Sequence, residues 1–395
     1  MLRLPGSHCM NDSRLAAGLR AASVPPFHAM AMSARATERA HRGLPTMFLQ
    51  VGQPSSGAPL GARRAVMAEL EADRPLGYTH SPGLPALADR IARHYRESYG
   101  ATVDPRSILV VAGASAGFTL AFLSAFDPGD RVGVIEPGYP CYRNALLALG
   151  ITPVPIPVGP DTHWAPTSAL LDAAGPLDGL VIASPSNPTG TVLDASSLDA
   201  LVAYCNTHGV QLIADEIYHG ITYHGAAPSV VDRSDRVVVI NSFSKYFSMT
   251  GWRLGWMVLP DHLRAAVDRL QQNLYICAPH VSQIAGLAAF DCTDELDGHV
   301  RRYAVNRDLL IDGLAGAGIT NIARADGAFY VYADVSHLTD DTMALCGRWL
   351  DEIGVAATPG LDFDLTRGHR YVRFSYAGAV DHITRACELL ATWKP

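Results

Sequence analysis

Of the 31 basic residues in this 395-residue chain only two are lysines, Lys245 and Lys394. Arginine replaces lysine as a surface charge, but only a primary amine forms a Schiff base with an aldehyde. Lys394 is the penultimate residue and reads as a tail charge, whereas Lys245 ends Ser242-Phe243-Ser244-Lys245 in mid-chain. Two more polar runs follow short apolar runs in the same way. Leu180 to Ala183 leads into Ser184-Pro185-Ser186-Asn187-Pro188-Thr189-Gly190, and Val210 to Ala214 leads into Asp215-Glu216-Ile217-Tyr218. Ligands of open parallel sheets sit beyond the carboxyl ends of the strands, so three such ends would bring an amide, a carboxylate with a phenol, and a hydroxyl with an amine to one crevice.

Positioning these groups requires the sheet itself. From about residue 60 to 290, helical stretches alternate with the runs Ile108 to Ala112, Val132 to Ile135, Leu180 to Ala183, Val210 to Ala214, Val237 to Asn241 and Trp256 to Leu259. This rhythm predicts an α/β fold with a mostly parallel sheet between helices. After Asp291 come a long helical segment, Leu296 to Ala317, a run Phe329 to Asp334, a helix near Asp341 to Ile353 and a strand Arg370 to Ser375, which predict a second, smaller α/β unit. Before the sheet, a short helix capped by Ser13, a break at Pro25-Pro26 and a strand Met47 to Val51 closing at Gly52-Gln53-Pro54 read as an arm and a linker.

Ser-Asn-Pro-Thr-Gly, Asp-Glu-Ile-Tyr and Ser-Phe-Ser-Lys, followed by Met249-Thr250-Gly251-Trp252-Arg253-Leu254-Gly255, resemble the fold-type-I pyridoxal-phosphate enzymes, and most closely the class I/II aminotransferases. The likeness runs from about Val24 to the C-terminus with the motifs in family order. It implies a seven-stranded large domain at 58–290, a discontinuous small domain from 24–57 with 291–395, and an N-terminal extension at 1–23. It also implies a homodimer with shared active sites.

The resemblance gives each matched residue a task. Lys245 would form the internal aldimine with pyridoxal 5'-phosphate and then act as the base. Asp215 would face the pyridine nitrogen and keep it protonated. Asn187 and Tyr218 would hydrogen-bond the ring O3′, and Tyr139, in Gly138-Tyr139-Pro140, would stack on the ring. Gly113, Ala114 and Ser115, where a strand meets a helix, with Ser242, Ser244 and Arg253, would take the phosphate. Tyr78 would reach the phosphate of the neighbouring subunit. Arg373 would clamp the substrate carboxylate with its planar fork, and Gly52 would let the backbone approach the same group. The reaction implied is ping-pong transfer of an amino group between an L-amino acid and a 2-oxo acid.

Composition excludes several other classes. A hydrophobic fraction of 48% and a charged fraction of 17% describe a well-buried protein, and a net charge of −7 argues against nucleic acid as a partner. The uncharged stretch Ile108 to Phe126 is broken by Gly113 to Gly117 and reads as strand and helix, not as a membrane span. Seven scattered cysteines without a C-x-x-C pair, and no secretory h-region behind Arg3, point to the cytoplasm, with the residues before Met10 an extension or a misassigned start. The fifteen histidines form no H-E-x-x-H, so no metal is expected, and neither a G-x-S-x-G elbow nor a P-loop occurs.

Two rival functions share the motifs. A carbon–sulfur β-lyase would use the same Lys, Asp and Arg, and a non-catalytic cofactor-binding regulator would keep the lysine without turnover. The donor is left among aspartate, branched-chain and aromatic amino acids, with glutamate and 2-oxoglutarate as the family's habitual pair. Gln271 to Pro279 holds no arginine for a distal carboxylate, and Phe27, Phe329 and Tyr330 suggest an apolar or aromatic pocket.

Overall fold

The computed structural model of the protein describes residues 18–394. The expected cap at Ser13 lies outside the described residues. Numbered along the chain, the strands are β1 (Met47–Phe48), β2 (Ile108–Val111), β3 (Arg131–Glu136), β4 (Thr152–Pro157), β5 (Gly179–Ala183), β6 (Gln211–Asp215), β7 (Val238–Ser242), β8 (Gly255–Val258), β9 (Tyr330–Asp334), β10 (Val355–Ala356), β11 (Thr358–Pro359) and β12 (Tyr371–Ser375).

Strands β2 to β8 form one seven-stranded sheet in the order β2-β8-β7-β6-β5-β3-β4. The pairs among β7, β6, β5, β3 and β4 are parallel, and β8 runs antiparallel to β2 and β7. Every residue of β2, β7 and β8 is buried, which is why these strands read as apolar runs, broken only by Asn241-Ser242 at the end of β7, and not as alternation. Helices cover both faces. One face packs Leu87, Ile91, Tyr95 and Trp256, and the other packs Phe118, Phe122, Leu146 and Met257.

The strand that apolar runs do not reveal is β4, which reads Thr-Pro-Val-Pro-Ile-Pro. Three prolines remove ladder donors and disguise the segment as a loop, yet a sheet edge tolerates them, and β4 pairs with β3 alone. The strand expected over Met47 to Val51 is also shorter than its pattern. Only Met47 and Phe48 pair, with Val355 and Ala356, because the Gln50 carbonyl accepts instead from the Thr358 hydroxyl at 3.0 Å and from Arg373 Nη2 at 2.7 Å.

A separate core gathers Met32, Ala36 and Leu49 from the start of the chain with Leu310, Phe329, Trp349, Phe374 and Leu390 from its end. It supports the antiparallel sheet β11-β12-β9, flanked by the helices Thr293–Gly316 and Val380–Thr392. Tyr218 and Ile221, from the turn after β6, enter this core and tie it to the large sheet.

Candidate active site

The carboxyl ends of β5, β6 and β7 open into a cavity of about 710 Å³. Its walls include Gly52, Ala114, Ser115, Tyr139, Asn187, Asp215, Tyr218, Ser244, Lys245, Arg253 and Arg373. The fold thus brings eleven of the fourteen expected site residues together from segments more than 300 residues apart in sequence. Gly113, Ser242 and Tyr78 are not on this wall, and each departure has a structural reason.

Gly113 lies just beneath it, at φ +84°, as the residue before the helix Ala114–Ala125. A Cβ there would come within 2.5 Å of Arg253 Nη2, so the absence of a side chain is what lets the guanidinium settle against the helix start. The hydroxyl of Ser242 points inward, donating to the Leu254 carbonyl and bonding the Ser244 hydroxyl, each at 2.9 Å, and it accepts from the Ser244 N–H at 3.1 Å. It orients Ser244 and does not face the cavity itself. Tyr78 is 82% exposed and does not line its own chain's cavity.

Lys245 Nζ donates to the Gly52 carbonyl at 2.6 Å. Gly52 is required less for ligand access than for packing, because a Cβ there would fall 1.8 Å from the Tyr330 hydroxyl oxygen. Burial lowers the Lys245 amine to about 8, helped by the positive charges of Arg373 and Arg253 and opposed by Asp215. A substantial fraction is therefore neutral near pH 8, the form that attacks a carbonyl or accepts a proton.

Asp215 ends β6 and accepts from the Ile217 N–H at 2.9 Å and from the Tyr142 hydroxyl. Burial pushes its carboxyl up to about 6, against the pull of the Tyr142 hydroxyl, the Ile217 N–H and Lys245. Tyr142 is a site residue that motif reading left without a role. The available signal was its place three residues after Tyr139 at a helix start, the spacing that puts two side chains on one face.

Tyr139 is only half-buried, with its ring edge-on to Phe27 at 6.5 Å, so it is a wall residue and not a core tyrosine. Tyr218 shares a 2.7 Å hydrogen bond with Tyr330, and burial raises its phenol well above the ordinary value. Phe329, expected on the pocket, is instead core, packed edge-on against Tyr218 and Tyr303. Arg373, on β12, lies between the rings of Tyr330 and Phe363 at 4.4 and 4.7 Å and donates from Nη1 to Asn187 Oδ1 at 2.9 Å.

The buried Nε of Arg373 and both amide atoms of Gln50, all belonging to wall residues, have no hydrogen-bond partner within the protein. Buried groups of this kind call for a ligand or solvent to complete them. A helix start with Ser115, Ser244 and Arg253 offers donors for a phosphate, Asp215 suits a protonated ring nitrogen, and Lys245 suits an aldehyde. The residues present fit pyridoxal phosphate.

An α/β fold with this cavity defines a cofactor-dependent enzyme that handles amino acids, and the comparisons with known proteins give the family. The chain belongs to the aminotransferases of class I and II, whose family model matches residues 45–390. It is similar to the valine–pyruvate aminotransferase of Mycobacterium tuberculosis, 48% identical over 95% of this chain and 97% of that protein. A crystal structure of an aminotransferase from M. tuberculosis superimposes with a TM-score of 0.93 at 48% identity, covering 96% of this chain and 98% of that one. The aspartate aminotransferase of Thermus thermophilus with maleate gives a TM-score of 0.89 at 29% identity, covering 95% and 99%. The protein is a pyridoxal-phosphate-dependent transaminase acting on amino and oxo acids. Among the described residues no helix is long and apolar enough to cross a membrane.

Proposed function

We propose that transamination proceeds in the cavity at the ends of β5, β6 and β7, by a ping-pong exchange in which an L-amino acid leaves its nitrogen behind and a 2-oxo acid collects it. The observation that carries this reading is the convergence of Lys245, Asp215, Arg253 and Arg373 on one cavity wall. When bound, pyridoxal phosphate supplies an electron sink for the pair released at the substrate Cα.

The chain supplies the rest. Arg373 holds the substrate carboxylate through its planar fork, steadied by Asn187 and the Gln50 carbonyl. Lys245 Nζ would take the proton from the substrate Cα and return it, a task suited to an amine near 8. Asp215 holds the proton on the ring nitrogen, and Tyr142 holds Asp215. Asn187 and Tyr218 would serve the ring oxygen, Tyr139 would cover the ring face, and Ala114, Ser115, Ser244 and Arg253 would anchor the phosphate, with Gly113 and Ser242 shaping that cradle.

We extend the reading to a cytoplasmic homodimer in which the exposed Tyr78 serves the neighbouring subunit's phosphate. The exposed apolar side chains of Met67 and Leu70 on the preceding helix support such a contact. The domain division follows the same reasoning: 24–57 joins 291–395 through the shared apolar core, and 58–290 carries the large sheet.

A visible-absorbance titration of the purified holoenzyme tests the function. Amino acid should bleach the cofactor band and oxo acid should restore it. A stable band with release of pyruvate and ammonia from a sulfur amino acid would replace the transaminase by the β-lyase.

A further inference from the structure

The charges on the cavity wall constrain which substrates fit. Among the described residues it carries three cations, Lys245, Arg253 and Arg373, and one anion, Asp215. Each cation has a use that leaves no spare. Lys245 is the amine of the reaction. Arg253 stands at the start of the helix Ala114–Ala125, where the phosphate charge requires it. Arg373 is enclosed by Tyr330 and Phe363 and oriented toward a single carboxylate by Asn187 and the Gln50 carbonyl.

The side of the cavity formed by the helix His28–His41 is of a different character. It presents Phe27, Met30 and Ser33, with Tyr139 edge-on to Phe27, and offers no cationic group. The helix is fixed in place by Asp362, whose carboxylate accepts from the His28 and Ala29 N–H groups at 2.9 and 2.7 Å. The buried hydrogen-bonding groups left over on the wall are the Nε of Arg373, part of the same single-carboxylate clamp, and the Gln50 amide, which is neutral. A second carboxylate on a substrate would be drawn from water against aromatic and thioether surface with no counter-charge from this chain, and Gln271 to Pro279 brings no arginine to a neighbouring subunit's cavity; burying an unpaired charge is costly.

We infer that the cavity accepts amino donors and oxo-acid acceptors that carry one carboxylate and an uncharged, apolar side chain, the side chain lying against the Phe27 and Met30 face of the first long helix. The inference rests on the transaminase reading and sharpens it. Both half-reactions use the same cavity, so the restriction applies to the acceptor as well, and glutamate with 2-oxoglutarate is not the working pair.

The holoenzyme provides the test. Half-reaction rates are measured for valine against aspartate and for pyruvate against 2-oxoglutarate. Binding of two non-reacting probes, 3-methylbutanoate and maleate, is followed through the cofactor spectrum. The kcat/KM ratios favour the single carboxylate by at least about fiftyfold in both halves, and 3-methylbutanoate binds more tightly than maleate. A smaller ratio in either half overturns the inference while leaving the transaminase intact. If no amino acid reacts but 3-methylbutanoate still binds ahead of maleate, the transaminase reading falls and the selectivity stands. Met30→Arg, a substitution at an exposed position, narrows the valine-to-aspartate ratio at least about fivefold. An unchanged ratio removes the side-chain site from that helix face.

Discussion

Asn187 Oδ1 accepts a hydrogen bond from Arg373 Nη1 at 2.9 Å, joining the end of β5 to a strand 186 residues later. In the proposed roles, the contact leaves the Asn187 amide nitrogen for the cofactor while its oxygen fixes the arginine assigned to the substrate carboxylate. On that assignment one residue would align the two ligands with each other. Asn187→Ala should raise KM for the amino acid and lower kcat together, by roughly one to two orders of magnitude in kcat/KM, as expected when a hydrogen bond to a buried charge is lost. Steady-state kinetics checks this, and a change in KM alone would separate the two roles.

Lys245→Ala should abolish turnover and the spectral signature of covalently held cofactor. Lys245→Arg should fail equally, since a guanidinium keeps the charge but supplies no amine. If either variant transaminates at an undiminished rate, the assignment of Lys245 is wrong.

The Lys245 amine is held down to about 8, below its ordinary 10.5. Its neutral fraction, and with it the rate at which cofactor-free protein takes up pyridoxal phosphate, should rise with pH through a midpoint near 8. Arg373 is among the causes of the depression, so Arg373→Leu should move that midpoint upward. Stopped-flow incorporation at a series of pH values measures both midpoints.

Gly113→Ala places a Cβ against Arg253 and forces a side chain onto an extended backbone position with positive φ. The strain in this backbone region, which essentially only glycine adopts, is about 1–3 kcal/mol, which a domain of this size tolerates. Displacement of Arg253 from the phosphate end should weaken cofactor retention about tenfold or more, visible on dialysis as faster loss of the bound cofactor. Retention equal to the parent enzyme would show that Arg253 does not hold the phosphate.

Tyr142→Phe removes the hydroxyl that donates to Asp215 and lowers its proton affinity. The carboxyl, already raised to about 6 by burial, should move further up, and a carboxylate that must stay ionised to hold the ring proton would be lost nearer neutrality. The acidic limb of the kcat–pH profile should shift to higher pH, with activity recovered above that limb. A uniform loss at all pH values would indicate a packing role only.

Much of this protein was legible in the order of its residues. The inner strands β5, β6 and β7 are buried on both faces over their central residues, which are therefore apolar, and the polar groups that end or follow each run mark where a parallel sheet opens. Lys245, Asp215 and Asn187 were identifiable for that reason. The edge strand β4 was not, because a sheet edge releases its residues from the donor requirement that shapes inner strands and admits three prolines.

What tertiary structure alone decided is orientation and pairing. Sequence placed Ser242 among phosphate ligands, but only packing shows its hydroxyl committed to Leu254 and Ser244. Phe329 and Tyr330 are adjacent and equally aromatic, yet where the turn meets β9 one enters the core and the other the cavity wall. The Tyr142–Asp215 and Arg373–Asn187 contacts join segments 73 and 186 residues apart, and such partners exist only once the sheet and the small unit close around one cavity. Local chemistry named the groups, and long-range packing determined which of them face one another.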